Sequence, residues 1–309
     1  MKKISIITGV YNEEATVEEV YAVINKLFTD LKKYDYEHIF LDNCSSDRTL
    51  ELLKGIAARD KRVKILSYSR NFGPIKTELI GYQHATGDAV VPFEANLKDP
   101  PELILEFIKN WEAGYDIVYG TRKQTKDSFL LAFCRKLFYK IINAFSEEEM
   151  PLNAGSFRLV DRKAVDELIK MDDYKPYIRG YITLLGFKQL GIEYSRRARP
   201  RGHSKSRINY LIDFSINALI NHSNFPIRFC TYLGLFLSVT SLLVAFIFLV
   251  LKLFFWPAQM PAIAAVILLI LFFSGIQIFF LGIIGEYVGA IHSQVRKKPF
   301  VIIKEKVNF

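Results

Sequence analysis

The chain has 309 residues, half of them hydrophobic and 24% charged, with a mean hydropathy of +0.15. So charged a chain reaches a positive mean hydropathy only if its apolar residues are gathered in a few segments, which excludes disorder, collagen and an evenly apolar transporter. A net charge of +9 points to a polyanionic partner, and three scattered cysteines, Cys44, Cys134 and Cys230, give neither a metal spacing nor a disulfide framework, as in a reducing compartment.

Along the chain, short apolar runs alternate with helical periodicity. Strands are predicted at 4–10, 39–42, 63–67, 89–93 and 117–120, and helices at 16–33, 48–58, 75–85 and 102–113. This βαβα order predicts a doubly wound, mostly parallel sheet. No Gly-x-Gly-x-x-Gly follows the first strand and no Walker A loop occurs, which disfavours dinucleotide binding and P-loop chemistry. Ligands of such sheets sit beyond the carboxyl ends of the strands, so the segments that matter are 10–14, 42–47, 70–73, 94–99 and 120–122.

Two later segments, 129–145 and 207–222, carry apolar residues at helical spacing. The first reads equally as core or as an interfacial helix. The second follows Arg196, Arg197, Arg199, Arg201, Lys205 and Arg207, and reads as a helix lying on a membrane. Residues 229–251 and 256–285 contain no charge. About 20 helical residues cross a hydrocarbon core, so both runs are expected to span, joined by a short turn holding Lys252, Pro257 and Pro261. Basic residues flank this hairpin, ending with Arg296, Lys297, Lys298, Lys304 and Lys306, while the turn has Lys252 alone. The positive-inside rule then puts both termini in the cytoplasm, on an inner or plasma membrane. Positive charge beside the spans, rather than on a soluble face with interleaved aromatics, argues for lipid or phosphate and against nucleic acid. The apolar stretch after Lys2 and Lys3 is too short for a secretory signal. The expected division is a cytoplasmic domain at 1–205, an interfacial helix at 206–225, a transmembrane hairpin at 226–291 and a cytoplasmic tail at 292–309.

Thr8-Gly-Val-Tyr-Asn-Glu-Glu14, Leu41-Asp-Asn-Cys-Ser-Ser-Asp-Arg-Thr49, Ser69-Arg-Asn-Phe-Gly73 and Glu94-Ala-Asn-Leu-Lys-Asp-Pro-Pro-Glu102 resemble, in order and spacing, the nucleotide-sugar site of family 2 glycosyltransferases. Gly282-Ile-Ile-Gly-Glu-Tyr-Val-Gly289, followed by Arg296-Lys-Lys-Pro299, is similar to the polyprenyl-phosphate branch of that family: dolichol-phosphate-mannose-synthase-like and bactoprenol enzymes with a two-helix anchor. The resemblance covers nearly the whole chain. It implies an α/β fold of GT-A type, a doubly wound mostly parallel sheet with amphipathic interfacial helices and the C-terminal hairpin. It also implies transfer of a sugar from a nucleotide-diphosphate donor, here a UDP-sugar, to the phosphate of a membrane polyprenol, here undecaprenyl phosphate. The transfer would invert the anomeric carbon, on the cytoplasmic face, for cell-envelope glycans, in a homo-oligomer, a tetramer.

By the same resemblance Tyr11, Asn12, Glu14, Asp42, Arg70 and Asn96 line the nucleotide-sugar pocket, and Arg201, Ser204 and Lys205 lie in a basic loop that closes over the pyrophosphate. Arg122 and Arg135 bind the acceptor phosphate, for which the directional charged bonds of arginine are suited. The chain departs from the family at its carboxylates. The Asp-x-Asp of the family's metal site reads Glu94 and Asn96, followed by Lys98 where Gln is common. The Asp that would serve as base is Asn153, in Asn153-Ala-Gly-Ser-Phe-Arg158, and the second Asp of an Asp-Asp pair is Asn43. Glu94, Lys98 and Asn153 thus hold the catalytic positions. Glu94 and Asn96 would hold a divalent metal, Mg or Mn, weakly or not at all beside the ammonium of Lys98. A phosphate monoester, with a second pKa of about 6, is mostly dianionic at pH 7 and needs no base. An active transferase is therefore favoured; the alternative is a degenerate protein that binds nucleotide-sugar or partners without turnover. A processive polysaccharide synthase would need more spans and a Gln-x-x-Arg-Trp motif, a context that neither Trp111 nor Trp256 provides.

Overall fold

The computed structural model describes residues 1–123, 154–171, 173–174, 176–197, 225–254, 262–296 and 299–309. The chain divides into a sheet-bearing unit, to which residues 299–309 belong, and a helical unit. The predicted segments 129–145 and 207–222 lie outside the described residues.

In the sheet-bearing unit β1 (Lys3–Val10), α1 (Val17–Asp30), β2 (Asp35–Asp42), α2 (Thr49–Arg59), β3 (Val63–Tyr68), α3 (Pro74–His84), β4 (Ala89–Pro92), α4 (Leu103–Glu112) and β5 (Ile117–Arg122) give the expected alternation. Four more elements follow that the sequence pattern does not announce: β6 (Ala154–Asp161), α5 (Arg162–Lys170), α6 (Ile178–Leu184) and β7 (Gln189–Tyr194). A last strand, β8 (Ile303–Val307), forms within the predicted tail. The sheet runs β7-β5-β6-β4-β1-β2-β3-β8. β4, β1, β2 and β3 are mutually parallel, as are β5 and β7, whereas β6 runs against β4 and β5, and β8 against β3. The fold is thus a doubly wound, mostly parallel α/β sheet of GT-A type.

Helices cover both faces. Val17, Val20, Ile24, Phe28, Leu53, Ile56, Ile104 and Phe107, from α1, α2 and α4, close one face. Leu79, Ile80, Tyr82, Val165, Leu168, Ile178 and Ile182, from α3, α5 and α6, close the other. Burial on both faces explains why β1, β3 and β4 read as nearly unbroken apolar runs.

β2 carries two polar residues into this core. Glu37 accepts from Ser5 Oγ at 2.6 Å and from Thr86 N and Oγ1 at 2.7 and 2.9 Å, and forms ion pairs with the ammonium groups of Lys64 and Lys3 at 2.7 and 3.2 Å. Burial alone would raise its pKa, but the bonds from Lys64, Ser5 and Thr86 outweigh it and bring it down to about 2. His38 stacks on Phe40 at 3.9 Å and shares a hydrogen bond with Thr8 Oγ1 at 2.9 Å, and burial pushes its pKa down to about 3. Both folded pKa values lie below the ordinary 4.5 and 6.5, so both contributions to stability are present at neutral pH and are lost on acidification. The melting temperature of the sheet-bearing unit is expected to fall as pH drops from about 6.5 and again, more steeply, between about 4.5 and 2. A melting temperature that is flat from pH 7 to 3 would contradict this.

The helical unit consists of α7 (Phe225–Phe254) and α8 (Ala262–Val295). Lys252 lies within α7 rather than in the connecting turn, and α8 runs to Val295, past the expected end of the hairpin at 291. The stretch Phe272–Val295 is long and apolar enough to cross a membrane. Phe272, Ile278, Phe279, Leu281, Ile284, Val288, Ile291 and Val295 are all exposed along it, and a helix apolar on every side is suited to lipid rather than water.

Candidate functional site

The order β3-β2-β1-β4 places β1 between strands that follow it on either side, so successive connections leave in opposite directions from its carboxyl end. A crevice opens at such a switch point, and ligands of doubly wound sheets bind there. The loops after β1, β2, β3 and β4 are therefore neighbours, each carrying residues singled out above.

The loops after β1 and β2 are laced together. Asn12 adopts a left-handed backbone, φ 53°, with its amide donating to Ser45 Oγ at 3.0 Å and its Oδ1 accepting from Ser46 N at 2.7 Å. Glu13 N donates to Thr49 Oγ1 at 2.8 Å, Glu14 N to Asp47 Oδ2 at 3.2 Å, and Arg48 N to Glu14 Oε2 at 3.1 Å. Asp42 is buried, and its two oxygens accept from Ser45 N at 3.1 Å and Ser67 Oγ at 3.0 Å. In this conformation Asn12, Glu14 and Asp42 shape the loops through bonds to protein donors, while Tyr11 is exposed at the rim. Asn43, which stands where the family has a second acid, accepts from Phe72 N at 2.8 Å and ties β2 to the loop after β3. Arg70, on that loop, is exposed and lies over the Phe72 ring at 4.0 Å.

A second, more strongly charged cluster follows β4. Asp99 is buried and accepts from Tyr194 Oη at 2.6 Å and from Arg196 Nε and Nη2 at 2.7 and 3.0 Å. The same Nη2 reaches Glu94 Oε2 at 2.8 Å. Asn96 donates from Nδ2 to that Glu94 oxygen at 2.7 Å and accepts Lys98 N on Oδ1 at 3.0 Å. Arg197 N donates to Lys98 O at 2.8 Å. The backbone of half-buried Lys98 is thus held at both its amide and its carbonyl. Burial would raise the pKa of Asp99, but the bonds from Arg196 and Tyr194 and the charge of Arg122 leave it below the usual carboxylate range. Burial and the bond to Asp99 raise that of Tyr194, which stays a neutral donor.

Arg122, at the end of β5, lies beside this cluster and lowers the pKa of both Asp99 and Tyr194. Its Nε is buried with no hydrogen-bond partner among the described residues. Its guanidinium lies against Gly155 of β6, where an added Cβ would come within 3.3 Å of Nε and Nη2. Next along β6, Ser156 accepts from Arg179 Nη2 at 3.0 Å.

Glu94, Asn96, Lys98 and Arg122 therefore meet in one network, and Asn12, Glu14, Asp42 and Arg70 belong to the adjoining loops. Arg135, Asn153, Arg201, Ser204 and Lys205 lie outside the described residues. Tyr194 and Arg196, which organise the network, are not found by the sequence reading. Their only signal is a weak alternation over 189–194 ending in two arginines, read there as part of a basic cluster.

The family resemblance implies a divalent metal at Glu94 and Asn96. The side chains present do not fit one: Asp99 and Glu94 are engaged by a guanidinium, and the Asn96 amide turns a donor toward Glu94. Among the described residues no group of three or more His, Cys, Asp or Glu side chains converges as a metal site.

Residues 5–169 match the family described as Glycosyl transferase family 2. Over 97% of this chain and 93% of the relative, it is 36% identical to an uncharacterized glycosyltransferase, YkcC, of Bacillus subtilis. It is 32% identical to the SfII prophage-derived bactoprenol glucosyl transferase of Shigella flexneri, over 98% of each chain. Among solved structures, glucosyl-3-phosphoglycerate synthase from Mycobacterium tuberculosis with Mn2+, UDP-glucose and phosphoglyceric acid covers 71% of this chain and 78% of its own, with 19% identity and a TM-score of 0.47.

Proposed function

The chain belongs to glycosyl transferase family 2, and from that premise we propose that it transfers a sugar from a UDP-sugar to the phosphate of undecaprenyl phosphate, inverting the anomeric carbon, at the cytoplasmic face of the cell membrane. The observation that carries this reading is 32% identity, over 98% of each chain, to a bactoprenol glucosyl transferase, combined with a charged cluster at the switch point. The acceptor phosphate is its own nucleophile, so no base is required of Asn153. Arg122, whose buried Nε has no hydrogen-bond partner among the described residues, is suited to hold that phosphate. Lys98 faces the task of balancing the charge that grows on the departing nucleoside diphosphate. No step is routed through a metal ion.

The sheet also supports the two-span arrangement. β8 pairs with β3, so residues on both sides of α7 and α8 share one sheet. A sheet cannot be divided by a bilayer, and the number of crossings between its strands is therefore even. With Phe272–Val295 suited to span, this supports the reading in which α7 is the second crossing. At about 1.5 Å per residue, either helix exceeds the roughly 30 Å hydrocarbon thickness.

The test is direct. Purified protein in detergent is incubated with UDP-sugars and undecaprenyl phosphate, and glycolipid is followed by mass spectrometry. The expected result is a hexosyl phospholipid of inverted configuration from one donor. Binding of UDP-sugar without product from any donor would instead identify a protein that recognises nucleotide-sugar without turnover.

A further inference from the structure

At the end of β4 two carboxylates share one side-chain cation. Arg196 gives Asp99 a two-pronged bond and reaches on to Glu94 with the same Nη2. Both oxygens of Asp99 and one of Glu94 thereby accept from a single guanidinium, with Tyr194 completing the shell of Asp99. Asn96 adds an N–H to the same Glu94 oxygen.

A divalent ion would need these lone pairs at about 2.0–2.6 Å. To obtain them it would have to evict a charge-assisted bidentate guanidinium, among the strongest hydrogen-bonding partners a carboxylate has. It would then leave that displaced charge beside it. Charge balance points the same way. Glu94 and Asp99 carry two negative charges; Arg196 pairs with both, and the charge of Arg122 adds to the positive field on Asp99.

We propose that Arg196 is a resident cation in the place a divalent ion takes in metal-dependent transferases, and that this protein binds and turns over its nucleotide-sugar without metal. The turnover clause rests on the transferase reading above. Arg196 acts as a positioning residue: it keeps the acid pair closed, while the next residue, Arg197, holds the carbonyl of Lys98 through its amide.

The experiment measures Mn2+ binding by electron paramagnetic resonance on the detergent-solubilised full chain, with UDP affinity by calorimetry with and without EDTA. Wild type is expected to show no Mn2+ site that depends on Glu94, and a UDP affinity changed less than about twofold by EDTA. Arg196→Ala is expected to gain Mn2+ affinity by at least about tenfold, a gain lost again when Glu94→Gln is added. A stoichiometric Mn2+ on wild type that disappears in Glu94→Gln overturns the proposal, as does a tenfold or greater loss of UDP affinity in EDTA. Failure of folded Arg196→Ala to gain Mn2+ also overturns it. If Arg196→Ala does not fold, wild type and Glu94→Gln decide the matter alone. Absence of any UDP binding overturns the transferase reading and metal-free turnover with it, while the Mn2+ measurements still decide whether Arg196 excludes the ion.

Discussion

Lys98→Met is expected to lower kcat by about 10²–10³-fold with little change in stability. The loop around Lys98 is held by Asn96 Oδ1 at its amide and Arg197 N at its carbonyl, and neither bond needs the lysine side chain. Methionine preserves most of the stem and removes the charge. The diphosphate gains negative charge as the glycosidic bond breaks, so a cation there binds the transition state more tightly than the ground state. Such a loss falls on kcat more than on KM. Single-turnover rates with saturating donor measure it directly, and Lys98→Arg should recover part of the loss. An unchanged rate in Lys98→Met would remove Lys98 from the catalytic machinery.

Glu78→Ala is expected to destabilise the sheet-bearing unit by ~3–5 kcal/mol. Arg158 points from β6 into the core and is 3% exposed. Its Nη2 donates to Glu78 Oε1 at 2.7 Å and its Nε to Tyr82 Oη at 3.3 Å, both on α3. Burial works against the charged form, but the charge of Glu78 and the hydrogen bonds to Tyr82 and Glu78 keep this arginine protonated. Without Glu78 the guanidinium stays charged, desolvated and unpaired, the costliest outcome for a buried ion pair. Glu78→Gln retains an acceptor and should cost much less. Arg158→Met should also be milder, because the abandoned carboxylate, 20% exposed, still reaches water. Denaturant unfolding followed through Trp111, which is buried against this sheet, ranks the three variants. Equal losses for all three would show that packing rather than charge is at issue.

What the sequence discloses depends on how each element is buried. β1, β3 and β4 are shielded on both faces and are legible as apolar runs. β2 is half missed, because Glu37 and His38 interrupt its pattern and their partners, Ser5, Thr8, Lys64 and Thr86, are remote in sequence. β6 is hidden for the same reason: Arg158 sits in its middle, and its partners are 76 and 80 residues away. β7 is a half-buried edge strand of mixed character. β8 alternates Ile303, Glu305 and Val307 with two lysines, which the sequence reading takes only as part of the basic flank of the hairpin. At the site, Glu94, Asn96, Lys98 and Arg122 follow from motif order. Arg196 does not, because its partners lie 97 and 102 residues upstream. Nor does sequence order reveal that Asp42 is engaged by Ser45 and Ser67.

The pairing of β8 with β3 also sets a timetable. Asn308 bonds to the carbonyls of Ala57 and Val63 at 2.8 Å each, and Lys54 pairs with Glu305 at 2.7 Å, so the outer edge of β3 is closed by residues translated after both long helices. During synthesis that edge waits bare while α7 and α8 are made. An open strand edge is a template for pairing with other chains. Removing the apolar helices together with the C-terminal strand would leave this liability permanent, so a soluble fragment ending before α7 should aggregate through β3, whereas one that rejoins residues 299–309 by a linker should not.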